Sequence, residues 1–364
     1  MGAGFSGVLA AISIKRSNPK SDVVILEHTD KPLKKLLSTG NGKCNLGNAK
    51  LNLNNFTNSQ FVKKICKLPQ ISKQKQFFKE LGIETKLIDN LLYPVSESAI
   101  TVRNALLRKC EKLGINIKLN ETILDYKIDN KIDIKTNLDS YKADKLIFAC
   151  GGKSLPISGS DGSIFPLLIK HGYNVVPLSS ALCPIITYEN TRILNGTRVK
   201  TNVNLYRNHK LVFSENGEVL FKNHGLSGIV IFNASREIAR KNGNYTIELD
   251  LLENYKDSEI EEYIDKFGEE AFLNAFLHPN IIKYFEQNKI KSIFVKRLSF
   301  KYKNLSDFEF SQVTTGGISI DDININLESK IEKNVFFIGE MLDIDGPCGG
   351  YNLTWGYISS QTMK

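Results

Sequence analysis

Gly2-Ala3-Gly4-Phe5-Ser6-Gly7 stands near the start of the chain, and Glu27 closes the apolar run Val23-Val24-Ile25-Leu26 twenty residues later. Between them, Val8 to Arg16 carries a helical pattern and Ser17-Asn18-Pro19 a turn. The order is loop, helix, turn, strand, which is most of a βαβ unit. Gly2 permits the tight turn, Gly4 lets backbone N–H groups approach a pyrophosphate, and Gly7 lets helix and strand pack closely. Phe5 and Ser6 stand where the helix N-terminus supplies partial positive charge. Glu27 would accept hydrogen bonds from ribose hydroxyls and disfavour a 2′-phosphate.

Working outward, 364 residues suit two or three domains, and 41% hydrophobic with 24% charged residues suits a soluble globular chain. No run of 18 apolar residues occurs, so no membrane-spanning helix is expected. The net charge of +9 is carried mostly by scattered lysines, with nine arginines among 48 basic residues. That pattern reads as a solvated basic surface, and nucleic acid is an unlikely partner. The six cysteines, at 44, 66, 110, 150, 183 and 348, form no Cys-x-x-Cys pair, so no metal site is expected and a reducing, cytoplasmic setting is. The small, apolar first fourteen residues have Lys15-Arg16 after them rather than before, the reverse of secretory order, and a loose myristoylation match at Met1–Ser6 is set aside with it.

Distant segments choose between nicotinamide and flavin. Lys35-Leu36-Leu37-Ser38-Thr39-Gly40-Asn41-Gly42-Lys43-Cys44-Asn45, Ala149-Cys150-Gly151-Gly152 and Gly339-Glu340-Met341-Leu342-Asp343 all have flavoprotein form. A strand ending in Gly and followed by an acid can hydrogen-bond a ribityl chain. Gly349-Gly350-Tyr351-Asn352 would place a helix N-terminus against a flavin carbonyl, stabilising negative charge there. The expected cofactor is FAD, with NADH or NADPH as a transient electron donor, because only one Gly-x-Gly-x-x-Gly is present.

The expected fold class is α/β: a Rossmann-like FAD-binding domain built from both chain ends (1–182 and 306–364), with an inserted β-barrel-like and helical domain at 183–305. Residues 51–115 read as mainly helical, 115–136 as a meander, and 185–250 as a small antiparallel sheet or barrel with turns at Asn195-Gly196 and Asn216-Gly217. Residues 256–303 read as helices.

On these residues, together with Gly217-Glu218-Val219-Leu220-Phe221, Gly225-Leu226-Ser227-Gly228 and Thr315-Gly316-Gly317, the chain resembles the BaiN/RdsA-type NAD(P)/FAD-dependent oxidoreductases, which include aminoacetone-oxidase-type flavoproteins. The resemblance covers nearly the whole chain and implies a two-dinucleotide-binding-type FAD domain with an insert; it implies no substrate. In that family a hydrophobic strand precedes the first glycine, whereas Met1 directly precedes Gly2 here. The expectation is that this exact chain lacks a central strand, and is poorly soluble or flavin-depleted.

No catalytic residue is assigned. Lys43 is a candidate partner of phosphate or anionic flavin, while Cys44 and Cys348 read as packing or polar lining. His224, beside Gly225, is a candidate base or substrate contact weighed against an ordinary surface histidine. The expected function is an FAD-dependent oxidoreductase moving hydride equivalents between a small-molecule substrate or NAD(P)H and an acceptor, with reductase and oxidase both open. A flavoprotein binding nucleic acid, as in tRNA modification, and a non-catalytic truncated remnant are the alternatives. Oligomeric state is not legible.

Overall fold

The computed structural model describes residues 1–66 and 70–363. The chain divides into two compact units, Met1–Ser179 with Gln312–Lys364, and Ser180–Ser311. The sequence alone placed these divisions at 183 and 305.

In the first unit the strand Val24–Leu26 runs parallel to Asn116–Lys118, with Val24 opposite Asn116 and Leu26 opposite Lys118. A second parallel pair joins Leu146–Phe148 to Val335–Phe337. Met1 and Gly2 lie between the pairs. The Met1 nitrogen donates to the Ile147 carbonyl, Ala149 N–H to the Met1 carbonyl and Gly2 N–H to the Leu26 carbonyl, each at 2.8 Å. These bonds hold the entry angle of the glycine loop, the task the sequence assigned to a preceding strand.

The helix Phe5–Ser17 follows and buries Val8, Leu9, Ala10, Ala11 and Ile12, packing against the C-terminal helix Tyr351–Gln361. Between residues 51 and 115 the helical reading holds for Ser59–Ile65, Gln70–Glu80 and Ala99–Lys112, but Thr85–Ile88 and Leu91–Pro94 form an antiparallel hairpin. Asp89 and Asn90 make its turn with φ of +49° and +69°, a left-handed pair that short polar side chains tolerate. The meander is a three-stranded sheet of Ile123–Ile128, Ile132–Thr136 and Ser140–Ala143.

The second unit is a closed six-stranded barrel in the order Ile185–Thr187, Gly225–Ser227, Lys210–Lys222, Arg198–Arg207, Tyr245–Asp250, Leu298–Leu305. Two sequence readings are corrected here. Asn216-Gly217 is not a turn but lies inside the long strand Lys210–Lys222, where Gly217 pairs with Thr201. Its missing side chain serves packing: a Cβ there would come within 2.9 Å of the Val230 Cβ on the helix Ile229–Arg240. The hairpin turns instead at Asn208-His209, both at positive φ. The helical run from 256 continues through Pro279–Gln287 to a 3-10 helix at Ser292–Lys296, but Leu298–Leu305 is a strand whose buried Leu298 and Phe300 alternate with exposed neighbours. Phe272, Ile281, Tyr284 and Phe285 of the helices join the apolar cluster of the barrel.

Among the described residues no helix is long and apolar enough to cross a membrane, and no group of three or more His, Cys, Asp or Glu could hold a metal ion.

Candidate functional site

The glycine loop folds as its spacing demands. Gly2 has a φ of +89°, and a Cβ there would lie 2.5 Å from the Ala149 carbonyl oxygen. A Cβ on Gly7 would lie 2.1 Å from the Gly2 carbonyl oxygen. Gly4 differs, because the nearest atom to its would-be Cβ is the Ala149 oxygen at 3.9 Å. Gly4 precedes the helix Phe5–Ser17, which has no side-chain cap and no acid in its first turn. Its first N–H groups therefore lack intrahelical acceptors beside an open volume, and their partial positive charge is uncompensated. Such an arrangement is chemically suited to phosphate oxygens.

Glu27 is buried at the end of its strand. One carboxylate oxygen accepts from Ala3 N–H at 2.7 Å and the other from Thr29 N–H at 2.9 Å. The acid thus ties the glycine loop to the strand and keeps lone pairs for a ribose hydroxyl.

Three distant segments meet this loop. A Cβ on Gly339 would lie 2.4 Å from Ser6 Oγ, so the turn after Val335–Phe337 presses on the helix start. Ser359 Oγ accepts from Gly339 N–H and Trp355 Nε1 donates to the Gly339 carbonyl, both at 3.0 Å. Glu340 pairs with Lys35 Nζ at 2.8 Å and accepts from Thr314 N–H at 2.8 Å. Thr314 Oγ1 in turn accepts from Lys153 and Ser154 N–H at 2.7 and 2.9 Å, and fills the space a Cβ on Gly152 would need. A Cβ on Gly151 would lie 3.0 Å from Ser160 Oγ and 4.0 Å from Glu340 Oε2. Gly2, Gly4, Phe5, Ser6, Gly7, Glu27, Lys35, Ala149, Gly151, Gly152, Gly339 and Glu340 are therefore brought into one neighbourhood around the glycine loop.

A second constellation forms around the C-terminal glycine turn. With its amide oriented to satisfy both neighbours, Asn45 donates to the Gly47 carbonyl at 2.8 Å and accepts from Gly350 N–H at 3.1 Å. Asn48 donates to the Gly349 carbonyl at 2.9 Å. Gly350, at φ +86°, starts the helix Tyr351–Gln361 without a side-chain cap. The side chains of Tyr351, Asn352 and Asp343, however, are engaged with the protein. Tyr351 OH accepts from Asn52 N–H at 3.2 Å and from Asn55 Nδ2 at 3.0 Å. Asn352 closes on Gly346, and Asp343 accepts from Gly316 N–H at 3.1 Å and Asn58 Nδ2 at 3.2 Å. What this turn offers a ligand is backbone N–H groups.

Several sequence candidates stand apart. Lys43 Nζ is bound to Glu97 at 2.8 Å, and Lys86 takes the other oxygen of Glu97 at 2.6 Å, so this lysine meets a carboxylate rather than a phosphate. Gly40 and Gly42 adopt positive φ and lead the chain into Cys44, which is wholly buried. Burial pushes the Cys44 thiol up to about 12, which keeps it protonated and unreactive near neutral pH. Cys150 is likewise raised to about 11 by burial. In the second unit His224 is exposed and lines a cleft of about 310 Å³ with Tyr188, Arg192 and Lys303. Sequence reasoning missed Thr314, Asn58 and Ser160. The signal for Ser160 was present as the turn-rich Gly159-Ser160-Asp161-Gly162.

The residues fit FAD: an uncapped helix end with open space before it, a buried carboxylate with free lone pairs, and a buried hydroxyl on Ser160 that lacks a partner among the described residues. Chemically, they can hold a dinucleotide by phosphate and sugar.

The model of the HI0933-like protein Rossmann domain family matches residues 1–363. A 3-dehydro-bile acid delta(4,6)-reductase of Clostridium scindens is 27% identical, over 98% of this chain and 95% of its own. A ribosomal RNA dihydrouridine synthase of Escherichia coli is 23% identical, over 99% of this chain and 95% of its own. Among solved structures, E. coli quinol fumarate reductase FrdA matches with a TM-score of 0.52 at 13% identity, across 100% of this chain and 68% of that one, which bears on the fold alone. With a Rossmann-type FAD-binding domain and a family match along almost its whole length, the chain belongs to the HI0933-like family and is an FAD-dependent oxidoreductase.

Proposed function

We propose that this protein is a reductase that draws hydride equivalents from NADH or NADPH and delivers them to a carbon–carbon double bond conjugated to a carbonyl in a small molecule. The observation that carries the reading is the convergence of the uncapped helix start after Gly4, the Glu27 carboxylate and the Gly151–Glu340–Lys35 group around the glycine loop. When bound, FAD supplies the hydride chemistry. The chain's part is placement. N–H groups of the first helical turn would hold the pyrophosphate, and Glu27 a ribose hydroxyl. The uncapped N-terminus at Tyr351 would present positive partial charge to negative charge on the ring system. The reductive direction and the substrate class are supported by the bile acid reductase of C. scindens.

The test is an absorbance spectrum of the purified protein followed by anaerobic NADH or NADPH, then a panel of conjugated ketones. Expected are a flavin spectrum, bleaching by one nicotinamide, and reoxidation by an unsaturated ketone. Bleaching reversed only by oxygen would make it an oxidase. A second reading, reduction of uridine in RNA, is favoured by the dihydrouridine synthase relatives; reoxidation by ribosomal RNA and not by ketones would establish it.

A further inference from the structure

We propose that Ser160 is a cofactor-positioning residue, whose hydroxyl binds a sugar hydroxyl of the adenosine diphosphate half of the cofactor; this rests on the FAD reading. Ser160 is 5% exposed, and its Oγ has no hydrogen-bond partner among the described residues. Buried hydroxyls are rarely left so, because the lost hydration is not replaced.

Its surroundings say what replaces it. Ser160 Oγ lies 3.0 Å from the position of a Cβ on Gly151, a glycine at φ +77°, and that same position is 4.0 Å from a Glu340 carboxylate oxygen. The missing side chain at Gly151 therefore leaves a small space shared by a hydroxyl and a carboxylate. That carboxylate is already paired with Lys35, so the space suits a neutral group that can donate to the carboxylate and accept from Ser160, which a sugar hydroxyl does.

The loop that carries Ser160 fixes which sugar. The Gly159 carbonyl oxygen lies 2.9 Å from His28 Nε2, and a Cβ on Gly159 would come within 2.8 Å of Thr29 Cγ2. The loop is thus seated on the two residues that follow Glu27, the acid placed to meet a ribose. Ser160 would then meet the same half of the dinucleotide as Glu27.

A hydroxyl kept for a ligand has a signature that a structural one lacks. Ser160→Ala removes an unpaired buried polar atom from the free protein and a hydrogen bond from the complex, so the two stabilities move in opposite directions. In reconstitution titrations of apoprotein, S160A is expected to weaken FAD and ADP-ribose equally, by about tenfold, and to leave FMN unchanged. The apoprotein's melting temperature is expected to hold or rise. Ser158→Ala is the control, because Ser158 Oγ donates to the Leu155 carbonyl at 2.7 Å within the same loop. It should lower the melting temperature and spare affinity.

Unchanged FAD affinity in S160A, or a loss for FMN and not for ADP-ribose, overturns the assignment. So does an apoprotein destabilised as much as the complex is weakened. Wild-type protein that binds neither FAD nor ADP-ribose would instead overturn the flavin reading and this proposal with it.

Discussion

Asn352 grips Gly346 with both ends of its amide: Oδ1 accepts from the Gly346 N–H and Nδ2 donates to the Gly346 carbonyl, each at 2.9 Å. The seven residues 346–352 are thereby closed into a ring that runs into the first turn of the helix Tyr351–Gln361, and the turn that sets that helix start is held by one side chain. Asn352→Ala removes both bonds and is expected to cost about 1–3 kcal/mol. Asn352→Asp is expected to do no better, since its second oxygen would face the Gly346 carbonyl. Thermal melts of the two variants check this, and an Asp variant melting like wild type would refute the pairing.

The glycines of the first loop separate folding from binding. Gly7→Ala forces a Cβ to 2.1 Å from a backbone oxygen and should abolish cofactor binding together with the native melting transition. Gly4→Ala meets nothing closer than 3.9 Å, so the apoprotein should melt as wild type. The added methyl occupies the space in front of the helix N–H groups, and FAD affinity should fall at least tenfold. Calorimetry of the apoprotein beside flavin titration distinguishes the two.

Glu27→Ala should weaken FAD retention tenfold or more, since charge-assisted hydrogen bonds are worth ~1.5–3 kcal/mol each. Because Glu27 also holds Ala3 N–H and Thr29 N–H, the free protein should lose stability too. That dual loss sets it against S160A, and paired melting and binding measurements read the contrast.

Thiol chemistry should be silent at the site. Cys44, raised to about 12 by burial, should resist a disulfide reagent at pH 8 in the native protein and react only on unfolding. Cys44→Ala is expected to keep flavin binding intact. Rapid native labelling of Cys44 would contradict its enclosure.

Acid should weaken one surface tie. Hydrogen bonds from Lys43 and Lys86 lower the Glu97 carboxyl to about 2. A folded-state value depressed below the ordinary 4.5 contributes stability above that pH and loses it as pH falls toward 2. Wild type should therefore lose more melting temperature between pH 5 and 2.5 than Glu97→Gln does, and added salt should shrink the difference.

The glycine loop, its helix and the strand at 24–26 were legible in the sequence because each is specified locally. Glycine spacing, helical periodicity and an apolar run are all properties of neighbours in the chain. The barrel was legible from alternation over 185–250, yet Asn216-Gly217 misled, because the same dipeptide that favours a turn also suits a strand crossed by a helix. Only Val230, packed from outside the local window, decides between them.

For the candidate site, the sequence offered the residues and a flavin class of cofactor, whereas the division of labour among those residues was not legible. Lys43 and Lys35 look alike in the chain, but the fold gives Lys43 to Glu97 on the surface and brings Lys35 to Glu340 near the glycine loop. Asp343, Tyr351 and Asn352 stand in ligand-like motifs, and their side chains hold loops instead. Whether a polar group faces the protein or a ligand depends on partners hundreds of positions away. Burial and hydrogen-bond satisfaction are properties of three-dimensional packing, so only the tertiary structure could reveal that, among the described residues, the buried Ser160 hydroxyl has no partner.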